Sequence, residues 1–116
     1  DSKDLQINIG KGYDNYWLLN QEVLTAQSYA AQVVAPDTGI CMTLYTDQPS
    51  MILYSANYID GSHIGKNNFR YQKRAALCLE PQRANNRQYG ATLNNTLLTP
   101  EQDFYSRPRY KFDTLK

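Results

Sequence analysis

Short apolar runs and apolar–polar alternations, broken by Gly, Pro, Asn or Asp, follow one another along most of this chain. No stretch keeps the 3.6-residue period of an ordinary amphipathic helix. Leu5, Ile7 and Ile9 alternate briefly and predict an edge strand or a lead-in loop. Gly12 opens a turn into an aromatic, apolar strand that begins near Tyr13 and runs through Trp17 and Leu19. Residues 20–27 read as a loop. Residues 28–35 and 40–46 read as two strands joined by a hairpin turn at Pro36-Asp37-Thr38-Gly39, where Pro fixes φ and Gly supplies a positive φ. In the second of these, Ile40, Met42 and Leu44 share one face, and Cys41, Thr43 and Tyr45 the other. Residues 51–55 predict a further strand. Residues 60–70, with Gly61, Gly65 and His63, read as a mobile loop. Residues 75–80 predict a strand buried on both faces, ended by Pro81. Residues 83–95 read as a long Asn-rich loop, and 97–102 as a strand end and a turn. Residues 104–112 alternate again, with Arg107, Arg109 and Lys111 on a solvated face. Short strands separated by turns predict an all-β chain, an antiparallel β-sandwich.

Composition narrows the function. With 116 residues the chain suffices for one domain with a core. Twelve basic residues stand against eleven acidic ones, so charge gives no case for nucleic acid or an anionic membrane. No apolar run approaches the roughly 20 residues that span a bilayer. The sequence shows no signal-peptide pattern and no initiating Met, and is expected to begin partway through something: a processed product, a designed chain or a piece of a longer gene product. Cys41 and Cys78 lie in apolar runs and read as reduced core thiols of a cytoplasmic protein. No metal-ligand spacing, phosphate loop or nucleophile elbow occurs, and no cofactor is expected. The ten tyrosines fit strand propensity better than a carbohydrate-stacking role.

One carboxylate stands out. In Arg74-Ala75-Ala76-Leu77-Cys78-Leu79-Glu80-Pro81-Gln82 an apolar run leads straight into Glu80. A Glu at the lip of a buried strand loses water, which raises its pKa toward the range of a general base. The residues alone equally allow a solvated strand-end Glu, or one paired with Arg74, Arg83 or Arg87. Gly12-Tyr13-Asp14-Asn15 reads by itself as a turn whose Asp and Asn bond their own backbone.

Four pieces in fixed order carry a resemblance: Gly12-Tyr13-Asp14-Asn15, Tyr45-Thr46-Asp47-Gln48-Pro49, Leu53-Tyr54-Ser55-Ala56-Asn57-Tyr58-Ile59-Asp60-Gly61, and Leu77-Cys78-Leu79-Glu80-Pro81-Gln82. A fifth, weaker piece is Leu98-Thr99-Pro100-Glu101 followed by a strand ending Tyr110-Lys111-Phe112. Together they resemble the C-terminal portion of the aldose 1-epimerases, the galactose mutarotase family, over nearly the whole chain. The resemblance implies a large β-sandwich that binds a free hexose, galactose or glucose, and interconverts its α and β anomers. A Glu removes the proton of the C1 hydroxyl and a His protonates the ring oxygen, so that the ring opens and recloses on the other face. By resemblance Glu80 matches the general base, Asp14 the acid that bonds sugar hydroxyls, and Gln48 a Gln lining the pocket. Asn57 and Gln82 fall inside motifs and are expected to support the site from behind.

The departures matter. Asn15 stands where the family usually has His, and Pro81 where Thr is common. The family's catalytic His, a second pocket His and substrate-binding Arg and Asn belong to its N-terminal part, which this sequence lacks. His63 lies where the family carries no catalytic His. The expectation is one β-sandwich portion, residues 1–116, inactive by itself. A companion chain carrying the N-terminal strands, or self-association, would complete it. A sugar-binding module without the chemistry is the alternative.

Overall fold

The structure of the chain, a computed structural model, describes residues 3–20, 25–83 and 96–115. The elements are α1 (Leu5–Ile9), β1 (Asp14–Leu18), β2 (Tyr29–Ala35), β3 (Ile40–Tyr45), β4 (Ser50–Tyr54), a single 3₁₀ turn (Lys66–Asn68), β5 (Cys78–Gln82) and β6 (Arg109–Thr114). The strands form two three-stranded sheets, ordered β1-β4-β5 and β2-β3-β6. The fold is all-β, of the antiparallel β-sandwich class that the alternation predicts. Among the described residues no helix is long and apolar enough to cross a membrane. The long loop expected at 83–95 lies, after Arg83, outside the described residues, and so do positions 21–24 of the 20–27 loop.

Two compact units divide the chain. The first holds Asp1–Trp17 and Ile52–Glu80, the second Leu18–Met51 and Pro81–Lys116. In the second, β2 and β3 form the expected hairpin, with Ala35 opposite Ile40 and Gly39 at φ +72° in its turn. The Gly39 N–H donates to Ala35 C=O at 2.8 Å. β6 pairs with β3 on its other side. The register sorts side chains by chemistry, because a strand turns successive residues to opposite faces. One face carries the rows Ala31–Leu44–Tyr110, Val33–Met42–Phe112 and Ala35–Ile40–Thr114. The other carries Gln32–Thr43–Lys111 and Val34–Cys41–Asp113, with Tyr45 opposite Arg109. On that second face the Arg109 guanidinium lies 4.4 Å from the Tyr45 ring centre, and Lys111 Nζ meets Asp113 Oδ2 at 2.6 Å. Leu44 is fully buried, but β6 is exposed at every position, Tyr110 and Phe112 included.

Several expectations need correction. Leu5–Ile9 is a short helix, not a strand or a loop. Asp4 caps it, its carboxylate accepting from the backbone N–H groups of Gln6 (2.8 Å) and Ile7 (3.3 Å). Local capping thus overrides an alternation only three residues deep. The strand expected over 75–80 starts instead at Cys78 and runs through Pro81 to Gln82. Pro81 does not end it: among the described residues β5 is an edge strand, where a proline is tolerated. Nor is it buried on both faces: Cys78 and Glu80 are exposed. Cys78 is therefore a free surface thiol, while Cys41 is the buried one. Finally, residues 104–108 make no strand. Pro108 has no N–H, the Arg107 N–H donates to Asp47 Oδ1 (3.1 Å), and Tyr105 C=O accepts from Gln48 Nε2 (3.2 Å). Side chains from another segment hold these groups in place of a neighbouring strand.

Candidate functional site

In the first unit Asp14 opens β1, and its position is set by the turn before it. Gly12 is buried at φ +143°, and a Cβ there would overlap the Asn57 Oδ1 atom. The Tyr13 N–H donates to Ser55 Oγ (2.9 Å), and the Ser55 N–H donates to Tyr13 C=O (3.0 Å). Ser55 Oγ donates to Asn57 Oδ1 (2.7 Å). Asn57 Nδ2 donates to Tyr13 C=O (2.7 Å) and to Gly10 C=O (3.2 Å). The segment 53–61 thereby clamps the turn that presents Asp14. Beyond it, the Asp14 N–H donates to Asn15 Oδ1 (3.2 Å), and Asn15 Nδ2 donates to Gln6 Oε1 (3.1 Å). Asp14 itself is exposed.

A second tie joins the same region. Arg74 Nη2 donates to Lys11 C=O (2.8 Å), and the Arg74 N–H donates to Ala56 C=O (3.2 Å). Lys11, Ala56 and Arg74 all have positive φ, at 57°, 49° and 63°. For residues with a side chain this conformation costs roughly 1 kcal/mol or more apiece.

Glu80 is the middle residue of β5 and is exposed. The sheet order puts β4 between its strand and that of Asp14. Glu80 is therefore not the buried lip residue expected, since among the described residues its strand is the edge of the sheet. Downstream, Gln82 C=O accepts from Ser50 Oγ (2.7 Å). His63 is exposed in the 60–70 loop, which an Ile64–Arg70 bridge closes.

In the second unit Gln48 is 4% exposed, within a turn where Thr46 and Ser50 are fully buried. Its N–H donates to Thr46 Oγ1 (3.1 Å). Its Nε2 donates to Asp47 Oδ1 (3.1 Å) and to Tyr105 C=O, while its Oε1 is buried with no hydrogen-bond partner. Burial works to raise the Asp47 pKa, but the hydrogen bonds from the Arg107 N–H and the Gln48 amide outweigh it and hold the carboxyl below its ordinary value. The Gln48 amide is thus fixed in one orientation.

Sequence reasoning did not single out Ser55, the clamping role of Asn57, or Asp47. The available signal was polar residues at a strand exit and before a proline, which also reads as ordinary turn chemistry.

A sandwich-class β fold that presents carboxylates from the outer strands of one sheet defines a broad class. Comparison with known proteins narrows it. The family model for aldose 1-epimerase matches residues 1–111. The chain belongs to the aldose 1-epimerase family. It is 29% identical to mouse galactose mutarotase over 101 residues, which cover 87% of this chain and 29% of the relative. It is 27% identical to the human galactose mutarotase over 110 residues, 95% of this chain and 31% of the relative. The bovine galactose mutarotase is 31% identical over 80 residues, 69% of this chain and 23% of the relative. The chain spans about three-tenths of the length of the first two of these relatives.

Proposed function

We propose that this chain supplies the basic side of a site that interconverts the α and β anomers of a free hexose. Membership in the aldose 1-epimerase family carries the reading. Glu80 takes the proton from the C1 hydroxyl. Asp14 and Gln48 hold sugar hydroxyls, Asp14 as an acceptor. A His outside this sequence gives the proton to the ring oxygen, since His63 lies in the exposed 60–70 loop, where the family carries no catalytic His. The reaction moves one proton off C1–OH and one onto the ring oxygen, so a base and an acid on opposite sides of the hemiacetal suffice, with no cofactor.

The position of β6 at the edge of its sheet, among the described residues, and its exposed Tyr110 and Phe112 favour a partner that completes the fold, as a companion chain or a second copy. The two free cysteines accord with a reducing, cytoplasmic setting. The test is anomer exchange of D-galactose and D-glucose by NMR, on the chain alone and with any co-purifying partner. Exchange that falls roughly a hundred- to ten-thousand-fold in Glu80→Gln supports the reading. Hexose binding without exchange in every sample replaces it with a non-catalytic sugar-binding module.

A further inference from the structure

We infer that the first unit carries a binding site for the phosphate group of a small ligand, formed by Lys11 and Arg74. A cavity of about 300 Å³ lies beside the Gly12 turn, within the size range of small-ligand sites. Its lining includes the two cations Lys11 and Arg74, with Ile7, Asn8, Gly12, Tyr13 and Ser55. Among the described residues no carboxylate lines it.

Three features distinguish it from a chance meeting of surface cations. Arg74 is anchored, because Nη2 donates to Lys11 C=O at 2.8 Å. A guanidinium carries five N–H donors, so its fork can still meet a phosphate. The backbone is strained here. Lys11 and Arg74 both hold positive φ, and so does Ala56, whose carbonyl bonds the Arg74 N–H. Strain collected at one cavity is the mark of a site that the surrounding structure holds in place. The floor is fixed as well. Gly12 has no room for a Cβ, and Ser55 accepts from the Tyr13 N–H. Two cations and, among the described residues, no acid match a phosphate dianion, whereas a neutral sugar would leave both charges unanswered.

Asp14 does not line the cavity, so this inference stands apart from the anomer-exchange reading. The test follows backbone amides of the full chain by ¹⁵N NMR during titration with inorganic phosphate, glucose 6-phosphate and galactose. Saturable shifts at Lys11, Gly12, Ser55 and Arg74 are expected with the two phosphates and not with galactose. The expected affinity falls about tenfold or more in Lys11→Asn, a residue that tolerates positive φ, and weakens with added salt. Arg74→Lys, which keeps the charge but not the fork, is expected to bind more weakly than the unaltered chain. Equal affinity for both phosphates identifies the phosphate alone as the ligand. Tighter binding of glucose 6-phosphate makes the sugar part of it. No saturable shift with either phosphate, or the same affinity in Lys11→Asn with its fold intact, overturns the inference. Absence of anomer exchange would leave it untouched.

Discussion

The two units are held together in different ways. In the second, order comes from a ladder: β3 pairs with β2 and β6 on its two sides, in unbroken register but for one irregularity between Tyr29 and Ala31. In the first, order comes from side chains gripping backbone. Asp4 caps α1, Ser55 and Asn57 clamp the Gly12–Tyr13 turn, and Arg74 ties Lys11. A ladder spreads its stability over many equivalent bonds, so single surface changes do little. A clamp concentrates it in a few bonds, each without a substitute.

The sharpest break in that contrast is Gly12→Ala. The added Cβ would overlap Asn57, and φ +143° disfavours any side chain. A loss of about 4 kcal/mol is expected in urea unfolding. Leu44→Ala probes the ladder where it has a core, since Leu44 is fully buried; a loss of about 3 kcal/mol should appear in the same measurement. Asn57→Ala removes two donors from the clamp and should cost about 2 kcal/mol, with the Tyr13 and Asp14 amide resonances shifting while those of β3 stay in place.

Acid supplies a milder probe of the second unit's turn. The Asp47 carboxyl is held below its ordinary value of 3.8, so its contribution is present above that pH and is lost as pH falls through the lower folded value. Asp47→Ala should flatten the fall in stability below about pH 3.8, as seen in acid titration of the unfolding midpoint. The smallest effect is expected at the exposed Lys111–Asp113 pair, where Lys111→Ala should leave the urea midpoint unchanged.

The same contrast explains what could be read from the sequence. The β2–β3 hairpin was legible, because alternation and the Pro36–Gly39 turn encode it locally, while the pairing of β6 with β3 was not. Nor was the clamp. Ser55 and Asn57 act on Tyr13, more than 40 positions away, and nothing periodic announces such a pairing. The edge position of β5 was hidden for a related reason. An apolar run reads as doubly buried until the sheet order is known, and that order makes Pro81 harmless and leaves Glu80 in solvent. At 104–108 alternation misled, because distant side chains at Asp47 and Gln48 had taken the backbone partners. For the candidate site, the residue types at 14, 48 and 80 were visible, while their surroundings depended on topology.

Cys78 now acquires a practical use. It is an exposed free thiol two residues before Glu80, so the pleat of β5 turns both side chains to the same face, while Cys41 is buried. An alkylating reagent applied to the native chain should mark Cys78 first. Anything that covers Glu80, whether a sugar or a partner segment, would then slow that labelling, and peptide mass analysis could read the occupancy of this face without an assay of turnover.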